Sequence, residues 1–232
     1  MTLFQASGGA SIICERSTHI PTRDFVRGLR VTLASRSRAP GIMRTEGYEL
    51  VAVRRSVIKT LSEMMHDRGY GDVVIDYERD MCVSEAAVGV LLCADDTRHR
   101  AGIQEVRDVA SQFPGRRILT VSHGGATPYL IAKGSDEVEC TIECFRVQEL
   151  LRNITRHHLV PRHTALPANE VPGILRKYGL VDSRCLPGLL RSDPVARYHG
   201  WVAGTVVRIA RRDLLENGTV QCSDALRIVV DA

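Results

Sequence analysis

Cys140, Cys144, His157 and His163 fit C-x3-C-x12-H-x5-H, the ligand order and spacing of a two-Cys, two-His zinc finger. Thiolate sulfur and imidazole nitrogen are the donors that a tetrahedral zinc takes. His158 lies in the same stretch, so His157, His158 and His163 with a nearby cysteine could alternatively serve metal-assisted hydrolysis. Two physical points weigh against a metal. Residues 138–145 alternate apolar and polar, which reads as a strand. On one strand face the two cysteines would lie about 13 Å apart at roughly 3.3 Å per residue, whereas one zinc holds both sulfurs at about 2.3 Å. Pro161 also falls between the histidines, where a finger would run its helix. The four are therefore read as core or surface residues, with no stoichiometric zinc and no cofactor expected. His123-Gly124-Gly125 resembles an oxyanion loop, but without a G-x-S-x-G it reads as a turn. No carboxylate cluster or phosphate loop is present to suggest catalysis.

The most informative residue order lies in residues 153–163, NITRHHLVPRH, and 193–212, DPVARYHGWVAGTVVRIARR. Asp193 can accept a hydrogen bond from a free first-turn N–H, and Pro194 sits where no N–H is needed, so a short helix starts there. It runs through Val195, Ala196, Arg197 and Tyr198. Gly200 can take the left-handed conformation that ends it, Gly204 permits the next turn, and residues 205–211 are β-branched and alternating, as in a strand. Before this motif, Asn169 can cap a helix over residues 170–178, with Pro172 in its first turn, Val171, Ile174, Leu175 and Tyr178 inward, and Gly179 as its stop. So short a helix must be held by packing.

These strings resemble the assembly domain of the fifth subunit shared by nuclear RNA polymerases I, II and III, a family with an archaeal counterpart. The family pattern has N-I-T-x-H-x-L-V-P-x-H, then R-Y-x-L, L-P-x-I and D-P-V-A-x-Y-x-G-x-x-x-G-x-V-V-x-I. The matching stretches here are residues 153–163, Leu175 with Lys177-Tyr178-Gly179-Leu180, Leu186-Pro187-Gly188-Leu189, and residues 193–209. MMHDRGY, residues 64–70, resembles the D-R-G-Y that ends the first helix of eukaryotic members. Thr127-Pro128-Tyr129-Leu130 falls where the family has Thr-Pro-Ser-Ala near downstream DNA, with Lys133 the nearby basic group; Thr127 and Pro128 equally read as a helix start. Past Ile209 the pattern departs: Trp201 has no counterpart, and Asn217-Gly218, a favoured turn pair, replaces the family's hairpin tip.

The resemblance implies a non-catalytic subunit of a nuclear DNA-directed RNA polymerase. It would dock on the largest subunit, contact other subunits, and lie beside downstream DNA in the assembled complex. The residues implied for docking are Thr155, His157, Leu159, Val160, Pro161, His163, Asp193, Pro194, Val195, Arg197, Tyr198 and Gly204, with Thr127, Pro128 and Lys133 nearest DNA. Assembly is expected to rest on residues 148–232. The competing readings are a metal-dependent hydrolase and a zinc-finger-like nucleic-acid adaptor, the latter marked by autonomous, salt-sensitive DNA binding.

The preceding residues supply a second body. Leu50, Val53, Val57, Leu61, Met64 and Met65 have the spacing of a buried helical face, closed by Gly69. Residues 73–77, 88–93, 117–122 and 138–145 read as strands, and 102–112 as a helix with Ile103, Val106 and Val109 on one face. The fold class is α+β or mixed α/β: a jaw-like domain at 46–147 with a mixed sheet and flanking helices, and a small α+β assembly domain at 148–232.

At 232 residues the chain can bury a full core. A net charge of +4 permits an acidic partner without requiring one. Seven scattered cysteines, an odd number, favour a reducing compartment. The two N-x-T sequences are then chance matches to a glycosylation acceptor, and no run of about 18 apolar residues suggests a membrane span. Residues 1–45 carry seven arginines against Glu15 and Asp24. An Arg- and Ser-rich, acid-poor leader has this composition, but the two acids and the lack of an amphipathic period favour an extension that is disordered alone or folds against a partner. Removing residues 1–43 is therefore expected to leave the thermal unfolding midpoint within about 4 °C of the parent, less than the shift of about 1 kcal/mol in a small domain. A larger drop would mean that the extension packs on the core.

Overall fold

The computed structural model describes residues 46–93, 95–214 and 220–231, all within one compact unit. The extension at 1–45 and the Asn217-Gly218 turn lie outside the described residues.

The described residues open on α1 (Glu46–Asp67), whose Val57, Ile58, Leu61, Met64 and Met65 are fully buried. That stripe lies on a five-stranded sheet built from β1 (Val74–Asp76), β2 (Met81–Val83), β3 (Ala87–Leu91), β4 (Arg117–Ser122) and β5 (Ile142–Arg146), paired in sequence order. β1 to β3 form an antiparallel meander; β3, β4 and β5 are parallel. The parallel connections carry α2 (Ile103–Gln112) and α3 (Pro128–Val138). A parallel strand covered on both faces should be apolar throughout, and all five residues of β3 are buried. Side chains on one face of this sheet, Ala87, Leu91, Leu119, Val121 and Phe145, share a core with α1. Ile142 points the opposite way, toward Gly134 of α3.

After β5 come α4 (Val147–Leu150) and a 3-10 turn (Ile154–Arg156), then a second sheet of four strands. It consists of β6 (Arg162–Ala165), β7 (Gly188–Leu190), β8 (Val206–Leu214) and β9 (Val220–Val230) in the order β6-β8-β9-β7. β7 pairs parallel to β9; the other pairs are antiparallel. The alternation of β8 divides its apolar residues between two clusters. Val207 and Ile209 pack with Leu189, Val229 and Ala196 of α6 (Pro194–His199), while Val206 packs with Ile228, Leu186 and Leu175 of α5 (Val171–Lys177).

The fold is the expected mixture of α and β, with four local corrections. β2 is a strand the sequence did not announce, three residues long between two turns. Residues 138–141 are not strand: α3 runs to Val138 and Glu139 caps it in the left-handed conformation, so only Cys144 of the two cysteines lies on a strand. Asn169 does not cap α5; Glu170 occupies that position, with no side-chain cap bond. Tyr178 is 51% exposed, so the buried face of α5 is carried by Leu175.

Gly89 marks the closest approach of α1 to the sheet, because a Cβ there would sit 2.5 Å from Leu61 Cδ2. Leu61 is fully buried and has nowhere to retreat. Gly89→Val is expected to destabilise the chain by about 1–3 kcal/mol or more, as overpacking does. A urea unfolding midpoint equal to that of the parent would show that α1 shifts freely on the sheet.

Candidate functional site

The two strings singled out in the sequence meet in space, and α6 is the element that both serve. Asp193 Oδ1 accepts hydrogen bonds from the N–H groups of Val195 (2.8 Å) and Ala196 (3.4 Å), and Pro194 follows in the first turn. The helix ends at Gly200, with φ +66°, the left-handed conformation that Gly adopts without a Cβ penalty. Beside it, Asn153 caps the 3-10 turn, its Oδ1 accepting from the N–H (3.0 Å) and hydroxyl (2.6 Å) of Thr155.

The Asn153 amide nitrogen donates 2.8 Å to Glu63 of α1 and 2.8 Å to the Tyr198 hydroxyl. Tyr198 in turn donates 2.8 Å to Asp67. Burial, and then the Asp67 carboxylate, raise the Tyr198 pKa far above that of free tyrosine, so the phenol stays a proton donor. Arg197 places its guanidinium 4.7 Å from the Phe145 ring centroid, donates to both Glu149 oxygens (3.0 and 2.9 Å) and donates to the Cys144 carbonyl (2.6 Å).

Arg68 closes the arrangement. Its side chain is 2% exposed and donates a forked pair of bonds to Glu143 of β5, at 2.8 and 2.9 Å. It also donates to the carbonyls of Tyr198 (2.8 Å) and Arg197 (2.6 Å) at the end of α6, the second of which accepts from the Gly200 N–H as well. A Cβ at Gly200 would lie 2.9 Å from its Cζ, so the position is constrained by space as well as by φ.

Three recesses of the surface built on this lattice lie beside the two strings. A cleft of about 270 Å³ is lined by Thr155, Val160, Pro161, His163, Val195 and His199. A neighbouring groove of about 670 Å³ involves His158, Leu159, Pro161, Arg162 and Arg211. On the other flank of α6, about 560 Å³ lies between Phe145, Leu150, Leu151, Ile154, Pro194 and Arg197. Leu159 is 76% exposed. The rings of His157 and His158 stack at 4.6 Å, and His163 Nδ1–H donates 2.7 Å to the Pro161 carbonyl, which fixes its tautomer.

Val195 and Tyr198, expected among the docking residues, are largely buried within the chain, each contributing only a small part of the wall of a recess. Asp193 acts as a cap and Arg197 as an internal tie. Gly204 holds the turn before β8 at φ +89°. Thr127 accepts a bond from Leu130 N–H (3.4 Å) and Pro128 opens α3, with Lys133 exposed further along it. The sequence reading missed Arg68, Glu143 and Glu149. The D-R-G-Y string held the available signal, an Arg where a helix gives way to a left-handed Gly69.

Cys140, Cys144, His157 and His163 do not converge. Among the described residues the single cluster able to offer three metal ligands is Cys93, His99 and Glu105. Burial pushes the Cys140 and Cys144 thiols up, toward the unreactive protonated form.

These observations describe an α+β protein whose second sheet presents a helix-turn-strand surface locked from below by buried polar contacts. Residues 152–220 match the family described as RNA polymerase Rpb5, C-terminal domain. The Dictyostelium discoideum protein "DNA-directed RNA polymerases I, II, and III subunit rpabc1" is 31% identical over 175 residues, covering 66% of this chain and 87% of that protein. Subunits named RPABC1 from Caenorhabditis briggsae and Caenorhabditis elegans are 29% and 28% identical over 197 and 195 residues, in each case 72% of this chain and 90% of the relative. The chain belongs to the Rpb5 family of RNA polymerase subunits.

The lattice itself can be tested by substitution. Arg68→Met removes the cation facing Glu143 and the donors to two helix-end carbonyls. It should cost about 3–5 kcal/mol, as breaking a buried pair does, with Arg68→Lys intermediate because an ammonium cannot fork. Urea denaturation measures both, and an unchanged midpoint for Arg68→Met would refute the anchoring role.

His199 stacks on Trp201 at 4.6 Å, and burial lowers its pKa, opposed by the Asp67 carboxylate and reinforced by Arg68 and His163. The folded chain then binds fewer protons here than the unfolded chain, so this contribution is intact above about pH 6.5 and is lost as pH falls below it. His199→Phe, which keeps a ring on Trp201, should flatten the loss of thermal midpoint between about pH 7 and pH 5.5. An identical pH profile in parent and variant would exclude His199 as a contributor.

Proposed function

We propose that this chain is a non-catalytic subunit of a nuclear DNA-directed RNA polymerase. Residues 148–232 dock on the largest subunit, while residues 46–147 form a jaw beside downstream DNA, with Thr127, Pro128 and Lys133 nearest it. Other polymerase subunits complete its partners. The observation that carries the docking reading is the convergence of the two strings on α6, with Leu159 exposed beside the cleft that Val160, Pro161 and His163 line. Covering this exposed leucine with a partner would remove apolar area from water. The groups beneath it are engaged in internal bonds: Tyr198 donates to Asp67 and Arg197 to Glu149. The surface thus offers shape and apolar area.

The test uses the full chain, because Asp67 and Arg68, which hold α6, lie outside residues 148–232. Leu159→Asp combined with His157→Ala alters exposed side chains only, so folding should persist. Co-purification of the largest polymerase subunit from cells should fall at least about tenfold, the equivalent of 1.4 kcal/mol. Full recovery of that subunit with the double variant would place docking elsewhere on the chain.

A further inference from the structure

We infer that Cys93, His99 and Glu105 form a zinc site on the loop joining β3 to α2. This site is independent of the docking surface, and it departs from the sequence-based expectation of no stoichiometric zinc, which rests only on Cys140, Cys144, His157 and His163. The three side chains each offer one ligand atom, and these atoms all lie within 4.8 Å of one another. His99 Nε2 is 3.0 Å from Glu105 Oε1, and Cys93 Sγ is 3.7 Å from the same oxygen. Ligands held 2.0–2.3 Å from one tetrahedral zinc lie about 3.3–3.8 Å apart, so the two pairs that involve Glu105 need only small adjustments, and Cys93 and His99, within 4.8 Å of each other, need to close by about 1 Å at most.

The backbone builds the cluster. Cys93 has φ +44°, a left-handed conformation rare for a residue with a Cβ. Two successive turns follow: Asp96 N–H donates to the Cys93 carbonyl (3.0 Å) and His99 N–H to the Asp96 carbonyl (3.1 Å). Gly124 N–H then fixes the His99 carbonyl at 2.7 Å. Glu105 is anchored from the helix side, its Oε2 accepting from Gly102 N–H at 2.9 Å. That bond leaves Oε1 facing His99 and Cys93.

The ligand set is one sulfur, one imidazole nitrogen and one carboxylate oxygen, a mixture that suits zinc better than the all-oxygen preference of magnesium or calcium. Binding exchanges the Cys93 S–H proton for an S–Zn bond and releases that proton to solvent. His99 binds neutral through Nε2, so the proton with which Nε2 now meets Glu105 is given up to solvent and Nδ1 carries the ring's remaining proton. Thiolate and carboxylate then balance the dication, and water fills the fourth position, because Cys93 faces solvent. The role is structural: the ion clips the end of β3 to the first turn of α2.

The experiment titrates the full-length chain, under a non-chelating reductant, with cobalt(II) and then zinc(II). The expected result is a thiolate-to-cobalt charge-transfer band that saturates at one equivalent, is bleached by zinc, and accompanies a higher thermal unfolding midpoint. Cys93→Ser should abolish the band, whereas Cys185→Ser and Cys222→Ser, at other exposed cysteines, should keep it. Glu105→Gln, which retains a capping side chain at that position, should weaken zinc binding at least about tenfold. Without metal, Cys93→Ser should unfold at the parent's midpoint, which separates ligand loss from misfolding. Absence of the band, or a band that survives Cys93→Ser, overturns the proposal.

Discussion

A buried guanidinium cannot stand unpaired, and the placement of Arg68 constrains much of this molecule. Its fork meets Glu143 on the first sheet, and its remaining donors meet the carbonyls that end α6 beside the second. Desolvating such an ion is expensive unless geometry and hydrogen bonding are both good, so α1, β5 and α6 can take only relative positions that keep the bonds intact. Gly200 is the corresponding concession: a side chain there would occupy the space of the guanidinium. The apolar contacts between α1 and the sheet supply attraction without direction, whereas Arg68 supplies direction.

Around that tie, Asn153, Tyr198, Asp67 and Glu63 form a polar chain linking α1, the 3-10 turn and α6. Arg197, stacked on Phe145, binds the same helix to Glu149 and to the backbone of β5. The surface at residues 155–163 is therefore held from beneath by groups drawn from α1, β5, α4 and α6. A family of subunits built into large assemblies gains from such pre-organisation, since little ordering is left to be done on docking.

The legible parts of the sequence were those governed by local chemistry. Asp193-Pro194 followed by Gly200 specifies a helix of one and a half turns through caps alone, and the stripe from Val57 to Met65 specifies α1 through period. β4 was readable because its buried residues run unbroken. What escaped depended on tertiary context. β2 is too short to show a period and is defined by its neighbours' hydrogen bonds. The cysteine strand was overextended because residues 138–141 alternate by chance, while Thr127 and Pro128 start a helix that runs into them. Asn169 is a good capping residue one position too early, and Tyr178 lies past the last buried turn of α5. Within the site, the two strings were visible, but not that Val195 and Tyr198 face inward, nor that an arginine 130 residues from Tyr198 holds its carbonyl.

That separation has a consequence during synthesis. At roughly 5–20 residues per second, the 130 residues between Arg68 and Tyr198 take about 7–26 s to make. Throughout that interval α1 and its arginine have left the ribosome while the carbonyls they cap do not yet exist. The nascent first sheet must wait with one face of a charged group open to water, and its last contacts close only when the end of the chain arrives. Early termination beyond β5 would therefore leave a body in which the Arg68 bonds to the end of α6 are replaced by bonds to water.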